Sequence, residues 1–180
     1  TDNNQGSLVA EVTYSNNVEG AADADKNVTD AAAFTNSYKA DSVTIGGESG
    51  NAGIDVKKTL KNRVWQEGDA FTFTLTASEG VPMPEEEGGN SVVIGYEDSS
   101  KTASFGAITY DTEGVYIYTV AEVVPEVGAI GGISYDTHQA VVTVTVTDKE
   151  HDGQLEAQVT YDNSEAVTDE DRAEENAAAF

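Results

Sequence analysis

The chain has no cysteine. Disulfides are therefore excluded, and either the compartment is reducing or stability comes from elsewhere. Basic residues are scarce: nine Lys and Arg stand against 33 Asp and Glu, for a net charge of −24. A field of that sign repels phosphate backbones and anionic membrane surfaces, so nucleic acid and lipid are poor partners. It fits an exposed, self-repelling surface, and it would attract divalent cations or a basic partner. There are two histidines, His138 and His151, and neither a G-x-S-x-G nor a phosphate-loop pattern. No enzyme, cofactor or metal centre is expected. No apolar run approaches a membrane span, and TDNNQGSL opens the chain without an apolar signal core. The expectation is a mature chain or a piece of something larger.

What is present repeats. TDNNQGSLVAEVTYSNN (1–17) resembles TDKEHDGQLEAQVTYDN (147–163). Gly6, Leu8, Ala10, Val12, Thr13, Tyr14 and Asn16 match Gly153, Leu155, Ala157, Val159, Thr160, Tyr161 and Asn163 at one constant offset. AAAF then occurs at 31–34, running on as AAAFTNSY, and again at 177–180. Acidic loops, GAADADKNVTD and TDEDRAEEN, lie between the matched parts. Residues 1–39 read as the last strands of a preceding repeat, or as donor strands. Residues 40–53 are rich in Gly and Ser and read as a linker with a short strand at SVTI. Residues 54–180 read as the next repeat without its final-strand residues.

The second repeat alternates apolar and polar residues almost throughout. IDVKKTL (54–60), AFTFTLTA (70–77), SVVIGY (91–96), TASFGAITY (102–110), VYIYTVAEV (115–123), QAVVTVTVT (139–147) and QLEAQVTY (154–161) carry the pattern. Turn signals such as QEGD, EDSSK and DTEG separate them. The expectation is an all-β sandwich of immunoglobulin-like architecture. NSEAVTDEDRAEEN (163–176) is the one helical candidate, and a solvated loop is favoured there. DKEHDG (148–153) spaces its acids like the start of a calcium loop but lacks the closing acid, so a plain hairpin turn is favoured.

Three residues break the alternation. Side chains alternate along a strand, so Lys58 shares a face with Ile54, Val56 and Leu60. Glu122 shares one with Tyr116, Tyr118 and Val120, and Asn36 shares one with Ala32, Phe34 and Tyr38. Each has an ordinary reading. Lys58 could snorkel from a strand end, Asn36 could satisfy a backbone group, and Glu122 could lie past its strand in solvent. Together they form a chemical set of amine, carboxamide and carboxylic acid. An apolar core favours the neutral forms of an amine and an acid. A neutral amine is a nucleophile, and a protonated acid can polarise a carboxamide and shuttle a proton to departing ammonia. The product would be a Lys–Asn amide, a cross-link that needs no cysteine.

VKKTLKNRVWQEGDAFTFTL (56–75), FGAITY (105–110), GVYIYTVAEV (114–123), GGISYDTHQAVVTVTV (131–146) and AAFTNSY (32–38) resemble a known family. It is that of the intramolecular isopeptide-bonded domains of Gram-positive pilin shafts and adhesin stalks, of the streptococcal major pilin type, with CnaB-like sandwiches. The resemblance implies that Lys58 is the bonding lysine, Glu122 the catalytic acid and Asn36 the bonding asparagine. It implies that the first and last strands lie side by side and are bonded, in a secreted fibre on the bacterial surface. Asn62 stands where the family usually has Gly. No sorting signal and no pilin lysine motif is visible. A cross-link between first and last strands would close a loop of about 100 residues or more, worth ~4–5 kcal/mol by the chain-entropy model. Force would then pass through covalent bonds, as a stalk requires.

The second repeat has no TNSY of its own, and three arrangements follow for Asn36. It returns to Lys58 of the same chain, across the 15 residues between Tyr38 and Ile54, which span roughly 50 Å when extended. It docks beside Lys58 of a neighbouring copy, giving head-to-tail strand exchange and a covalent polymer. Or it belongs to a preceding repeat in a longer tandem protein. The exchange is ranked first. The competing class is a carbohydrate- or host-protein-binding adhesin module on the same fold. Trp65 and scattered tyrosines offer it little stacking surface, and Trp65 is expected to be structural.

Overall fold

The computed structural model describes residues 10–126 and 129–180, so the matched Gly6 and Leu8 lie outside the described residues. Two compact units divide the chain, one ending at Lys39 and one running from Ala40 to Phe180.

The second unit carries β1 (Val43–Ile45), β2 (Asp55–Lys57), β3 (Ala70–Ala77), β4 (Ser91–Gly95), β5 (Thr102–Ser104) and β6 (Ile108–Tyr110). It continues with β7 (Gly114–Glu122), β8 (Gln139–Thr147), β9 (Glu156–Asp162) and β10 (Ala178–Ala179). The largest sheet runs β4-β3-β7-β8-β9 and is antiparallel throughout. A second sheet, β10-β2-β5, places β10 parallel to β2, and β1 pairs with β6 alone. One apolar core joins all three sheets: Val43 and Ile45, Ile54 and Val56, Phe71, Phe73 and Leu75, Tyr118 and Val120, and the Ala140–Val146 alternation of β8. The second unit is thus the all-β, immunoglobulin-like sandwich that the alternation predicts.

β3 and β8 fall where the alternation puts them, since every second residue is buried. TASFGAITY, expected as one strand, is two. β5 pairs with β2 and β6 with β1, and the chain changes sheets at Gly106. There the Gly106 N–H donates to Gly89 O at 2.8 Å, and a Cβ would stand 3.0 Å from both Gly89 Cα and Pro84 Cβ. Only glycine passes so close to a neighbouring segment. Residues 40–53, read as a linker, supply β1, whose Val43 and Ile45 enter the core. The acidic stretch 163–176 holds a single helical turn, α2 (Asp169–Arg172), capped by Thr168 Oγ1 accepting from Asp171 N.

The first unit, among its described residues, has one helical turn, α1 (Asp23–Lys26), and no strand. The physical reason is pairing. β9 needs β8 and β10 needs β2 as ladder partners, and the described residues of the first unit hold no counterpart of either. It nevertheless repeats the second unit's local bonding. Asn163 donates to Glu174 O and Ala177 O and accepts from Ala179 N. Asn16 donates to Val28 O and Ala31 O and accepts from Ala33 N. The same asparagine closes the same acidic loop in both units, which extends the sequence repeat into hydrogen bonding.

Candidate functional site

Lys58 directly follows β2, and its side chain faces the core with 6% exposure. Glu122 ends β7 with its side chain fully buried. The lysine Nζ lies 3.1 Å from both carboxylate oxygens. Its hydrogen bond goes to Oε2, whereas Oε1 has the ion-pair contact but no directed hydrogen bond. Oε2 also accepts from Asp136 N at 2.7 Å. The Lys58 Nζ sits 5.0 Å from the centre of the Phe71 ring, which shields it further from water.

The segment after α2 completes the site. Ala178 lies beside Val56 and Ala179 beside Lys57. Phe180 continues the ladder: its N–H donates to Lys57 O at 3.0 Å, and Thr59 N donates to its carbonyl at 2.6 Å. Phe180 is therefore level with Lys58 on the neighbouring strand. Its ring packs 5.2 Å from Phe73 and 4.4 Å from His138. The AAAF segment fills its own place in the fold.

Sequence reasoning placed Lys58 and Glu122 inward on alternation alone, and the structure brings them into contact. Asn36 differs. It was expected to point inward beside Phe34, but it is exposed, and Phe34 is 89% exposed. Among its described residues the first unit supplies no sheet against which that face could pack. Thr35, the residue before Asn36, is held by Asp25, which accepts its N–H at 2.8 Å and its hydroxyl at 2.6 Å. At 148–153 the acids serve the turn itself: Asp148 accepts from Asp152 N. Trp65 is structural as expected, edge-on to Phe71 and covered by the Lys101 ammonium. Asn62 has φ +63°, a left-handed conformation that asparagine tolerates better than most residues.

Two site residues escaped the sequence reading. Asp136 and His138 lie just before β8, in the YDTH of GGISYDTHQ. Asp136 Oδ1 accepts from His138 N at 3.0 Å and from its ring Nδ1 at 2.8 Å. Burial pushes the Asp136 carboxyl up, but the two His138 hydrogen bonds and the nearby Lys58 charge outweigh it and hold it below its ordinary value. The sequence signal was a short polar run, SYDTHQ, entering the alternating strand within a segment that carries the resemblance.

The family model described as "FctA: Spy0128-like isopeptide containing domain" matches residues 54–179. The chain belongs to this family. The matched span of the Spy0128-like domain runs from β2 to β10 and includes Lys58, Glu122, Asp136 and His138; Asn36 lies outside it. No curated protein matches the chain. Among solved structures it is similar to a mutant of the major pilin from Streptococcus pyogenes, at 17% identity and a TM-score of 0.41. That match covers 78% of this chain and 49% of the pilin chain, so the chain spans about half the length of that structure.

A surface pair ties the last loop of the Spy0128-like domain to β2. Lys57 Nζ lies 2.7 Å from Glu174 Oε2. The Lys57 hydrogen bond holds the Glu174 carboxyl below its ordinary 4.5, and the Glu174 hydrogen bond raises Lys57 above 10.5 despite partial desolvation. The depressed acid contributes stability that is present above 4.5 and lost as pH falls through its folded value. The raised lysine contributes stability present below 10.5 and lost as pH rises beyond it. The lysine side chain is 38% exposed, so the pair is worth under about 1 kcal/mol. The difference in urea midpoint between wild type and Glu174→Gln is expected to be constant from pH 6 to 9 and to vanish in acid. A difference that persists at pH 2 contradicts the assignment.

Proposed function

We propose that this domain is a structural repeat of a bacterial cell-surface fibre, a pilus shaft or adhesin stalk, in which Lys58 forms an isopeptide bond with Asn36. The observation that carries the reading is the buried Lys58–Glu122 pair lying level with a docked AAAF segment. AAAFTNSY has the same four residues and continues past them. Seated as Ala177–Phe180 is seated, it would put Phe34 between Phe73 and His138. Asn36 would fall two residues further along, on the same inward face, with its Cβ about 8 Å diagonally from that of Lys58. The long lysine side chain covers that gap.

The reaction balances without an external reagent. Within the pair a proton passes from the Lys58 ammonium to the Glu122 carboxylate, and the neutral Nζ then attacks the Asn36 carboxamide carbon while the protonated Glu122 donates to its oxygen. The new C–N bond forms as the old one breaks. The proton released by the amine passes through Glu122 to the leaving nitrogen, and ammonia departs. Each lysine and asparagine reacts once, so the chain is not an enzyme in the usual sense.

Asn36 comes from a second copy by strand exchange. The incoming AAAF replaces an identical AAAF, so the packing it displaces and the packing it restores nearly cancel in free energy. Burial of the Phe34 ring is offset by exposure of the displaced Phe180 ring, so the amide is what drives the exchange forward and makes it irreversible. The purified chain is expected to form a covalent ladder on a denaturing gel. Each bond should lower the intact mass by one ammonia, and Lys58 and Asn36 should be recovered in one cross-linked peptide. A single band at the calculated mass defeats the reading. Loss of ammonia within a monomer keeps the bond but refutes exchange between copies.

A further inference from the structure

The inner face of the large sheet carries an ordered row at the site. Phe73 on β3 lies opposite Glu122 on β7. Ala121 lies opposite Gln139, so one further step of that register sets His138 opposite Glu122. Phe180 spans this row, touching Phe73 and His138 on either side of the carboxylate. His138 is thus the cross-strand neighbour of the acid and also part of the seat on which the AAAF segment rests.

Its hydrogen bonding has a direction. Asp136 is a carboxylate and can only accept, so His138 Nδ1 carries the proton it donates at 2.8 Å. With the His138 N–H also bonded to Oδ1, the imidazole and its own backbone grip one carboxylate oxygen. That grip fixes the turn whose Asp136 N–H donates to Glu122 Oε2. Lys58 and Asp136 N therefore both hold Oε2, and Oε1 stays buried without a directed hydrogen bond. The Lys58 ammonium 3.1 Å away offsets the burial of Oε1, but its hydrogen-bonding capacity stays open to a further donor. The carboxamide two residues beyond the phenylalanine of an incoming AAAF segment is such a donor.

We propose that His138 is a positioning residue of the cross-linking reaction, acting through Asp136 to hold Glu122 with one oxygen directed by the protein and the other left for the incoming carboxamide. This role rests on the Lys58–Asn36 reading above. It makes the ring stacking on Phe180 secondary and the Nδ1–H donor essential.

Two substitutions separate these roles in the full chain. His138→Phe keeps an aromatic ring against Phe180 but removes the donor. His138→Asn loses the ring but sets an amide N–H close to where Nδ1 was. Ammonia loss and covalent ladder formation are followed over time, and thermal melting confirms that each variant is folded. His138→Phe is expected to slow cross-linking about 10–100-fold, as misplacement of a reacting group by up to about 1 Å does. His138→Asn is expected to stay near the wild-type rate. Unchanged His138→Phe kinetics, or a slow His138→Asn beside a fast His138→Phe, overturns the proposal. Asp136→Ala tests the pair from the other side. It should slow the reaction similarly, and adding His138→Phe should then change nothing further; a full additional loss also overturns the role. A wild-type chain that never releases ammonia overturns the function itself, and this role with it. A wild type that cross-links at the same rate as His138→Phe overturns this role alone.

Discussion

Replacing Glu122 with alanine is expected to abolish cross-link formation on any practical timescale. Two losses act together. The carboxyl that protonates the carboxamide oxygen and relays the proton to ammonia is gone, and general acid–base catalysis contributes about 10²–10⁴-fold. The Lys58 ammonium also loses its partner in a site where the lysine side chain is 6% exposed. Removing one member of a buried pair costs about 3–5 kcal/mol, because the other charge is left uncompensated. Glu122→Gln separates the two effects, since it keeps the volume and a hydrogen-bonding group but cannot shuttle the proton. Intact mass after prolonged incubation reads the chemistry, and urea unfolding reads the stability. A Glu122→Gln chain that still lost ammonia at the wild-type rate would remove Glu122 from its proposed role.

Phe73→Ala is expected to cost about 3–5 kcal/mol, the usual range for a fully buried phenylalanine truncated to alanine. The ring has 0% exposure. It stands opposite Glu122 on the sheet and packs on Phe180 from the other side. Its loss leaves a cavity between the large sheet and β10, next to the Lys58–Glu122 pair. A single domain is commonly stable by only about 5–15 kcal/mol, so the urea midpoint should fall by a large fraction. β10 contributes two residues to its ladder and should loosen first, seen as faster amide exchange at Phe180. A shift below about 1 kcal/mol would show that the core collapses into the space and that Phe73 does not seat the segment.

Much of this was legible in the sequence because alternation is a local property. AFTFTLTA and QAVVTVTVT declare their buried faces residue by residue, and β3 and β8 follow them without a shift. The same reasoning turned Lys58 and Glu122 inward, since each occupies a step that apolar neighbours define as core. It could not find the break at Gly106, where the limit is the approach of a distant segment at Gly89. It could not place Asp136 and His138, because a turn has no period and its hydrogen bonds depend on which strand lies beside it. It turned Asn36 inward because AAAFTNSY alternates, but alternation defines a core face only where a second layer covers it, and Phe34 in the first unit is exposed.

The sequence alone therefore determined the strand faces, the repeat and the inward amine and acid, all of which follow from side-chain period and short-range pattern. Only the tertiary structure decided that AAAF runs parallel to β2 with Phe180 level with Lys58, and that Phe73, Glu122 and His138 form one row beneath it. Register between strands distant in sequence is set by the joint packing of both faces and the completion of every ladder bond. No single segment carries that information.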